Sequence, residues 1–376
     1  GASAFLIVEF TGIKYWDVVK VSILPAVLYF LSVYTIVHLE ARKGGIEGIP
    51  REQLERVWKV FKEGWYYLLP PVLIVIVLMR GQSVPFAGLI GIGSVIILGG
   101  LKGVVGLYEK SRTAGIGIGD VVETIIAGLV NVIQALEKGA IRSLPVCAAV
   151  AAVGIVMGAL FQTGLGLKFS SMVVALAGDS LFLAIILVGI ASFVLGMGLP
   201  TSAAYIVLSV MAVPALLDLG QPWGLSLLGA HLIVFWFSLD SCFTPPVCVP
   251  AYTAAGIAQA NPSSAAWAAF RTAKGMYIIP IMFAFTSILL VDQPLALTQT
   301  FVAAVFGFLS TGAVIVGHMY VRLGATERTI LSIGALGLFW PSLIFQVAGG
   351  VILATTFISQ RMRYSRSLVS DGTPVE

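Results

Sequence analysis

Charge is scarce in this chain. Of its 376 residues only 11% are Asp, Glu, Lys or Arg, against about 25% in an average soluble domain. A fold in water could not cover its surface with so few polar side chains, so lipid is the expected solvent. The net charge is +4 with no Lys/Arg-rich stripe, which argues against a nucleic-acid partner, since that needs a dense basic footprint. Cysteine and histidine are few: Cys147, Cys242, Cys248, His38, His231 and His318. None has zinc-ligand spacing, and Cys242 and Cys248 straddle a Pro pair, so buried thiols are a better reading than metal ligands. No Gly-x-x-x-x-Gly-Lys-Ser/Thr loop is present, which argues against ATP hydrolysis within this chain. The sequence opens on Gly1 without a charged-then-apolar leader, so a fragment or a processed product is expected.

What the chain has instead is apolar mass: 58% hydrophobic residues, 41 Gly and a mean hydropathy of +1.00. An all-α polytopic membrane protein is expected. Val18–His38 is long enough to cross a bilayer at about 20 residues per span. In the charged stretch Glu40–Glu63, Leu54, Val57, Trp58 and Phe61 share one face, predicting a helix on the membrane surface. Trp65–Met79 and Val84–Leu101 read as a transmembrane hairpin. Basic residues on both sides of it, among them Arg42, Lys43, Lys102, Lys110 and Arg112, predict cytoplasmic ends. Asp120–Arg142 carries an apolar stripe, acids at its start and Lys138 and Arg142 at its end, which predicts a separate amphipathic helix and not a simple span. From Leu144 to Leu290 the chain is apolar but repeatedly interrupted by Gly, Pro, Ser and Thr. Phe301–Tyr320 and Thr329–Ser359 read as final spans, and a tail with Arg361, Arg363 and Arg366 as cytoplasmic.

The interruptions are where chemistry is expected. A broken helix in lipid frees backbone groups that must find partners, so it persists where it lines an enclosed site. Gly196-Met197-Gly198 relaxes the backbone, Pro200 cannot continue the helical bonding, and Thr201 and Ser202 begin a new helix. Close helix packing by small residues explains the glycines equally well. Pro245 and Pro246 remove consecutive donors after Thr244, which predicts free carbonyls near Asp240–Phe243. Asp240 is either functional at this depth or a helix-end acid near water. Thr163-Gly164 fits a hairpin tip or an ordinary loop, and His231, Lys168 and Asp179 fit interfacial ends.

Gly196–Tyr205, Pro214-Ala215, His231-Leu232, Thr244-Pro245-Pro246-Val247 and Ala251-Tyr252 together resemble the large membrane subunit of tripartite ATP-independent periplasmic (TRAP) transporters. The likeness is strongest to the fused permeases that work with TAXI-type binding proteins. It extends to Thr163–Gly166 and to Glu327–Ile330. The resemblance implies an elevator-type transporter with re-entrant hairpins and broken helices in the bacterial inner membrane. It implies sodium as coupling ion, no other cofactor, a periplasmic solute-binding protein, a small membrane subunit or domain, and import of an organic acid. On this sequence the ion and substrate site would comprise Thr163, Gly164, Gly196, Gly198, Pro200, Thr201, Ser202, Asp240, Thr244, Pro245 and Pro246. Gly196, Gly198 and Thr244 are the sodium candidates among them. The implied organisation is a remnant of a first transport repeat over 1–17 and scaffold spans with connecting helices over 18–142. A second repeat over 143–290, C-terminal helices over 291–360 and a polar tail over 361–376 complete it. Gly1–Phe5 and Lys14–Asp17 resemble the segment just after the Pro-Pro break of a first repeat, so the earlier hairpin is expected to lie outside this sequence. Two rivals remain at this point. A membrane enzyme would use Asp240 with His231 or Asp179, and a noncatalytic scaffold would need no breaks at membrane depth.

Overall fold

Helices dominate because every backbone group in lipid must bond within its own segment. The computed structural model describes residues 2–46, 48, 50, 53–114, 117–196, 199–246 and 248–370. Among these the only extended pairing is an isolated bridge between His318 and Arg322. Seven of the described helices are long and apolar enough to cross a membrane, as the composition requires of an all-α polytopic protein. The chain divides into two compact units. One comprises Gly1–Ile13, Asp17–Gly48 and Val153–Glu376, and the other comprises Lys14–Trp16 and Ile49–Ala152.

The chain opens with α1 (Ala2–Thr11) and α2 (Tyr15–Lys43), the latter a candidate span. The second unit then holds α3 (Val57–Gly64), α4 (Leu69–Met79) and α5 (Val84–Ala114). Residues Val57, Trp58 and Phe61 on α3 are exposed, Leu54 lies before its start, and Val57–Met79 as a whole qualifies as a candidate span and not only as a surface helix. Pro70 and Pro71 occupy the first turn of α4. They lack the N–H donors that would join it to α3, so a short 3-10 turn, Trp65–Leu68, stands between. Helices α4 and α5 pair as the expected hairpin, turned at Gly81 (φ 74°). The predicted stop at Arg142 does not occur: α6 runs from Ile118 to Thr163, and Ile118–Ile141 itself qualifies as a span. Favourable charges at a helix end contribute only about 0.3–1 kcal/mol, too little to stop a helix that continues into the Ala-rich stretch Ala148–Ala152.

In the first unit the broken region consists of α7 (Leu165–Ala177), α8 (Leu181–Gly196), α9 (Thr201–Gly220) and α10 (Leu227–Asp240). Three shorter helices follow: α11 (Val249–Ile257), α12 (Pro262–Thr272) and α13 (Gly275–Phe285). At 16 and 14 residues, α8 and α10 are too short to span. Helix α9 is the hub, packed on α7, α8 and α10, with Tyr205, Leu208 and Leu216 fully enclosed. Helix α10 in turn packs on α8 and α13.

The C-terminal part adds α14 (Pro294–Val316), α15 (Ala325–Phe339) and α16 (Leu343–Ser370). Thr329–Ser359 is therefore not one span. Pro341 cannot donate a helical bond, and the chain turns at Trp340-Pro341-Ser342 so that α15 and α16 pack closely on each other.

Candidate functional site

Two of the three predicted breaks meet. Helix α8 ends at Gly196 and α9 begins at Thr201, with Pro200 (φ −57°, ψ 145°) before it and no side chain capping the new N-terminus. A Cβ built on Gly196 would lie 2.5 Å from Ser241 Cβ and 2.6 Å from its Oγ. Only glycine lets the end of α8 approach the end of α10 so closely. One turn along, Thr201 Oγ1 and Cys242 Sγ lie 3.5 Å apart. Thr201 and Ser202 are half-buried, and Ser241 is buried. Gly198, like Val247, lies outside the described residues.

The Thr244 break is tied into the same cluster. Thr244 Oγ1 donates to the Asp240 carbonyl at 2.8 Å and lies 3.1 Å from Tyr277 Oη on α13. The Pro245–Pro246 bond is cis, and the Pro246 carbonyl accepts from Tyr252 Oη at 2.6 Å. The expectation of bare carbonyls throughout Asp240–Phe243 needs correction. The Asp240 oxygen also accepts from Phe243 N at 2.9 Å, and the Phe243 oxygen accepts from Cys248 Sγ at 3.1 Å. The missing donors are those that Pro245 and Pro246 would have directed at Ser241 and Cys242. Among the described residues no donor reaches those two carbonyls. They are also the two residues set against Gly196 and Thr201.

Asp240 itself is fully buried at 0% exposure, so it is not a helix-end acid near water. Both carboxylate oxygens lack a hydrogen-bond partner. It acts electrostatically on Lys274, Tyr277 and Tyr29. Lys274 sits just before α13, its ammonium 3.4 Å from the centroid of Phe270 and 4.8 Å from that of Tyr277. Phe193 on α8 also packs against Tyr277, ring centroids 5.4 Å apart.

The third break stands apart in its bonding. Thr163 is exposed and its hydroxyl donates back to Ala159 O at 2.7 Å. Gly164 (φ 64°) precedes α7, and the chain bends by 67° between Gly154–Leu160 and α7. Neither residue has a hydrogen bond to the other two breaks among the described residues. His231 is buried, with Nδ1 2.8 Å from Tyr205 Oη, so the pairing with Asp240 that a membrane enzyme would use is not formed. Sequence reasoning misses Lys274 and Tyr277. A cation, Lys274, at the start of the apolar stretch Gly275–Phe285 is the available signal.

Among the described residues no group of three or more His, Cys, Asp and Glu could hold a metal ion. The arrangement can instead offer main-chain oxygens, hydroxyls and one carboxylate to a monovalent cation. The family model described as "Tripartite ATP-independent periplasmic transporter, DctM component" matches residues 1–294. No curated protein and no solved structure matches the chain. DctM components work with a periplasmic binding protein and a small membrane component. The chain belongs to the DctM family and is the large membrane component of a TRAP transporter, a permease subunit and not an enzyme.

Proposed function

We propose that this chain forms the membrane path of a sodium-coupled importer for an organic acid, delivered by a TAXI-type binding protein to the bacterial inner membrane. One observation carries the reading: the ends of α8 and α10 meet at Gly196 and Ser241, with Thr201 and Cys242 beside them. Carbonyls deprived of donors, hydroxyls and an unpaired carboxylate gathered at two helix breaks have the chemistry of a sodium site. The uncapped start of α9 supplies amides for an anionic solute. A noncatalytic scaffold has no need of such breaks. In the proposed cycle the second repeat carries ion and solute across as an elevator.

The test uses the complete transporter reconstituted in vesicles with its binding protein and small membrane component. Thr244→Leu removes the hydroxyl that bridges Asp240 O and Tyr277, and Thr201→Leu replaces the hydroxyl that touches Cys242 Sγ at 3.5 Å with a bulkier apolar group. Each is expected to abolish sodium-driven uptake while membrane insertion is retained. Uptake by either variant with unaltered sodium dependence overturns the assignment of that break to the ion site.

A further inference from the structure

We infer that Lys274 is the resident counter-cation of Asp240, and that the transported sodium takes its place at the carboxylate. The inference rests on the sodium-coupled reading above and adds a named competitor to it. A carboxylate with no exposure and two unpartnered oxygens is expensive in a low-dielectric interior unless a cation is near. The cation that acts on it here is Lys274. Yet the ammonium is lodged against the faces of Phe270 and Tyr277, a cation–π arrangement, and it makes no hydrogen bond to the carboxylate. The charge is balanced through space, and the oxygens stay open to a small ion.

The holding arrangement is built into the ion-site cluster. Tyr277, whose ring faces Lys274, is bonded through Thr244 to the main chain of Asp240. Phe270 is held edge-on to Tyr277 with centroids 5.7 Å apart. A Lys side chain is a compact point charge on a flexible stem, so it can sit over the rings or swing toward the carboxylate. Two cations around one carboxylate repel each other, so occupancy by sodium weakens the hold on Lys274 and the reverse holds equally. The consequence is an exchange in which the buried cluster keeps one neutralising cation whether sodium is bound or released.

The experiment measures the sodium concentration for half-maximal effect in the assembled transporter, by uptake and by sodium-dependent thermal stabilisation, with choline keeping ionic strength constant. Lys274→Met is expected to lower that concentration by on the order of tenfold in both readouts, the size of an ordinary coupling between two sites. Lys274→Arg keeps the charge and is expected to stay close to the unsubstituted protein. Asp240→Asn is expected to raise the concentration, and adding Lys274→Met to it is expected to change nothing more. A merely structural lysine would lower stability without moving the sodium response. Equal half-saturation in the unsubstituted protein and Lys274→Met, with sodium still driving uptake, overturns the exchange alone. Absence of any sodium response in the unsubstituted protein overturns the coupling reading and the exchange together.

Discussion

In the C-terminal helices, Gln346 and Gln360 are buried as deeply as the polar residues of α8–α10, yet both ends of each amide are occupied. Gln346 accepts from Gln299 Nε2 at 2.9 Å and donates to Trp340 O at 2.9 Å. Gln360 accepts from Val321 N at 3.1 Å and donates to Glu327 Oε2 at 3.1 Å. Asp240 is an ionisable group at the same depth and neither oxygen is engaged. Buried polar groups are normally satisfied, so the difference separates two uses of polarity in an apolar protein. Satisfied amides fix how α14–α16 join. An unsatisfied carboxylate beside broken helices leaves room for something that comes and goes. The family match ends where α14 begins, so the α8–α10 breaks and Asp240 fall within the matched part and the amide pairs beyond it.

The sharpest way to break this comparison is to overfill one close helix contact in each region. Gly196→Ala would drive a methyl to within 2.5 Å of Ser241 Cβ. Gly349→Ala would press against the Gly334 carbonyl and within 2.8 Å of Leu338 Cγ. Both are expected to destabilise by about 1–3 kcal/mol, read as a fall in the thermal midpoint of the purified protein. Only Gly196→Ala is expected also to abolish sodium-driven uptake, and Ser241→Gly added to it should restore a part. If Gly349→Ala shifts the sodium response as much as Gly196→Ala does, the division into transport and anchoring regions fails.

The legible part of the protein is the part written in local pattern. Pro, Gly and apolar length mark the α4–α5 hairpin and the ends of α8 and α10, because a missing donor or a missing Cβ acts on its immediate neighbours. The joining of the pieces is not legible. That Gly196 rests on Ser241, or that Tyr277 reaches Thr244, depends on helix packing between segments far apart in the chain, which no short-range periodicity encodes. The boundary errors have the same origin. Charges at Lys138 and Arg142 suggest an end to α6, but a weak terminal preference yields to continuous helix formers. Pro341, within an apolar stretch that reads as one span, is decisive because proline removes a donor outright.

A smaller effect is expected at Glu327, which anchors α15 to α16. Its carboxylate accepts from Gly324 N at 2.9 Å, from Gln360 Nε2 at 3.1 Å and from Arg363 Nη1 at 2.8 Å. The Arg363 pair is partly exposed and so worth little by itself, about 0–1 kcal/mol. The helix-start bond adds about 0.5–2 kcal/mol. Glu327→Ala should therefore lower the thermal midpoint by a few degrees and leave the sodium concentration for half-maximal uptake where it was. A changed sodium response would mean that the C-terminal helices take part in the ion site after all.

The smallest expected effect decides what the third break is for. Gly164 holds a left-handed φ of 64°, and a Cβ there would meet nothing within 4 Å. Gly164→Ala is then a pure backbone substitution, with a strain of about 1–2 kcal/mol and no clash. If the Thr163-Gly164 tip only turns the chain, stability drops by that amount while the solute KM and the sodium response stay fixed, and Gly164→Asn, which tolerates this conformation better, recovers most of the loss. If the tip closes over the solute, as a transport hairpin would, Ala raises KM out of proportion to the stability lost, because the added methyl projects into space the solute needs. Thr163 already spends its hydroxyl on Ala159 O within its own helix, so Thr163→Val should follow whichever pattern Gly164→Ala shows. Divergence between the two would assign the binding role to one residue of the tip and the turn to the other.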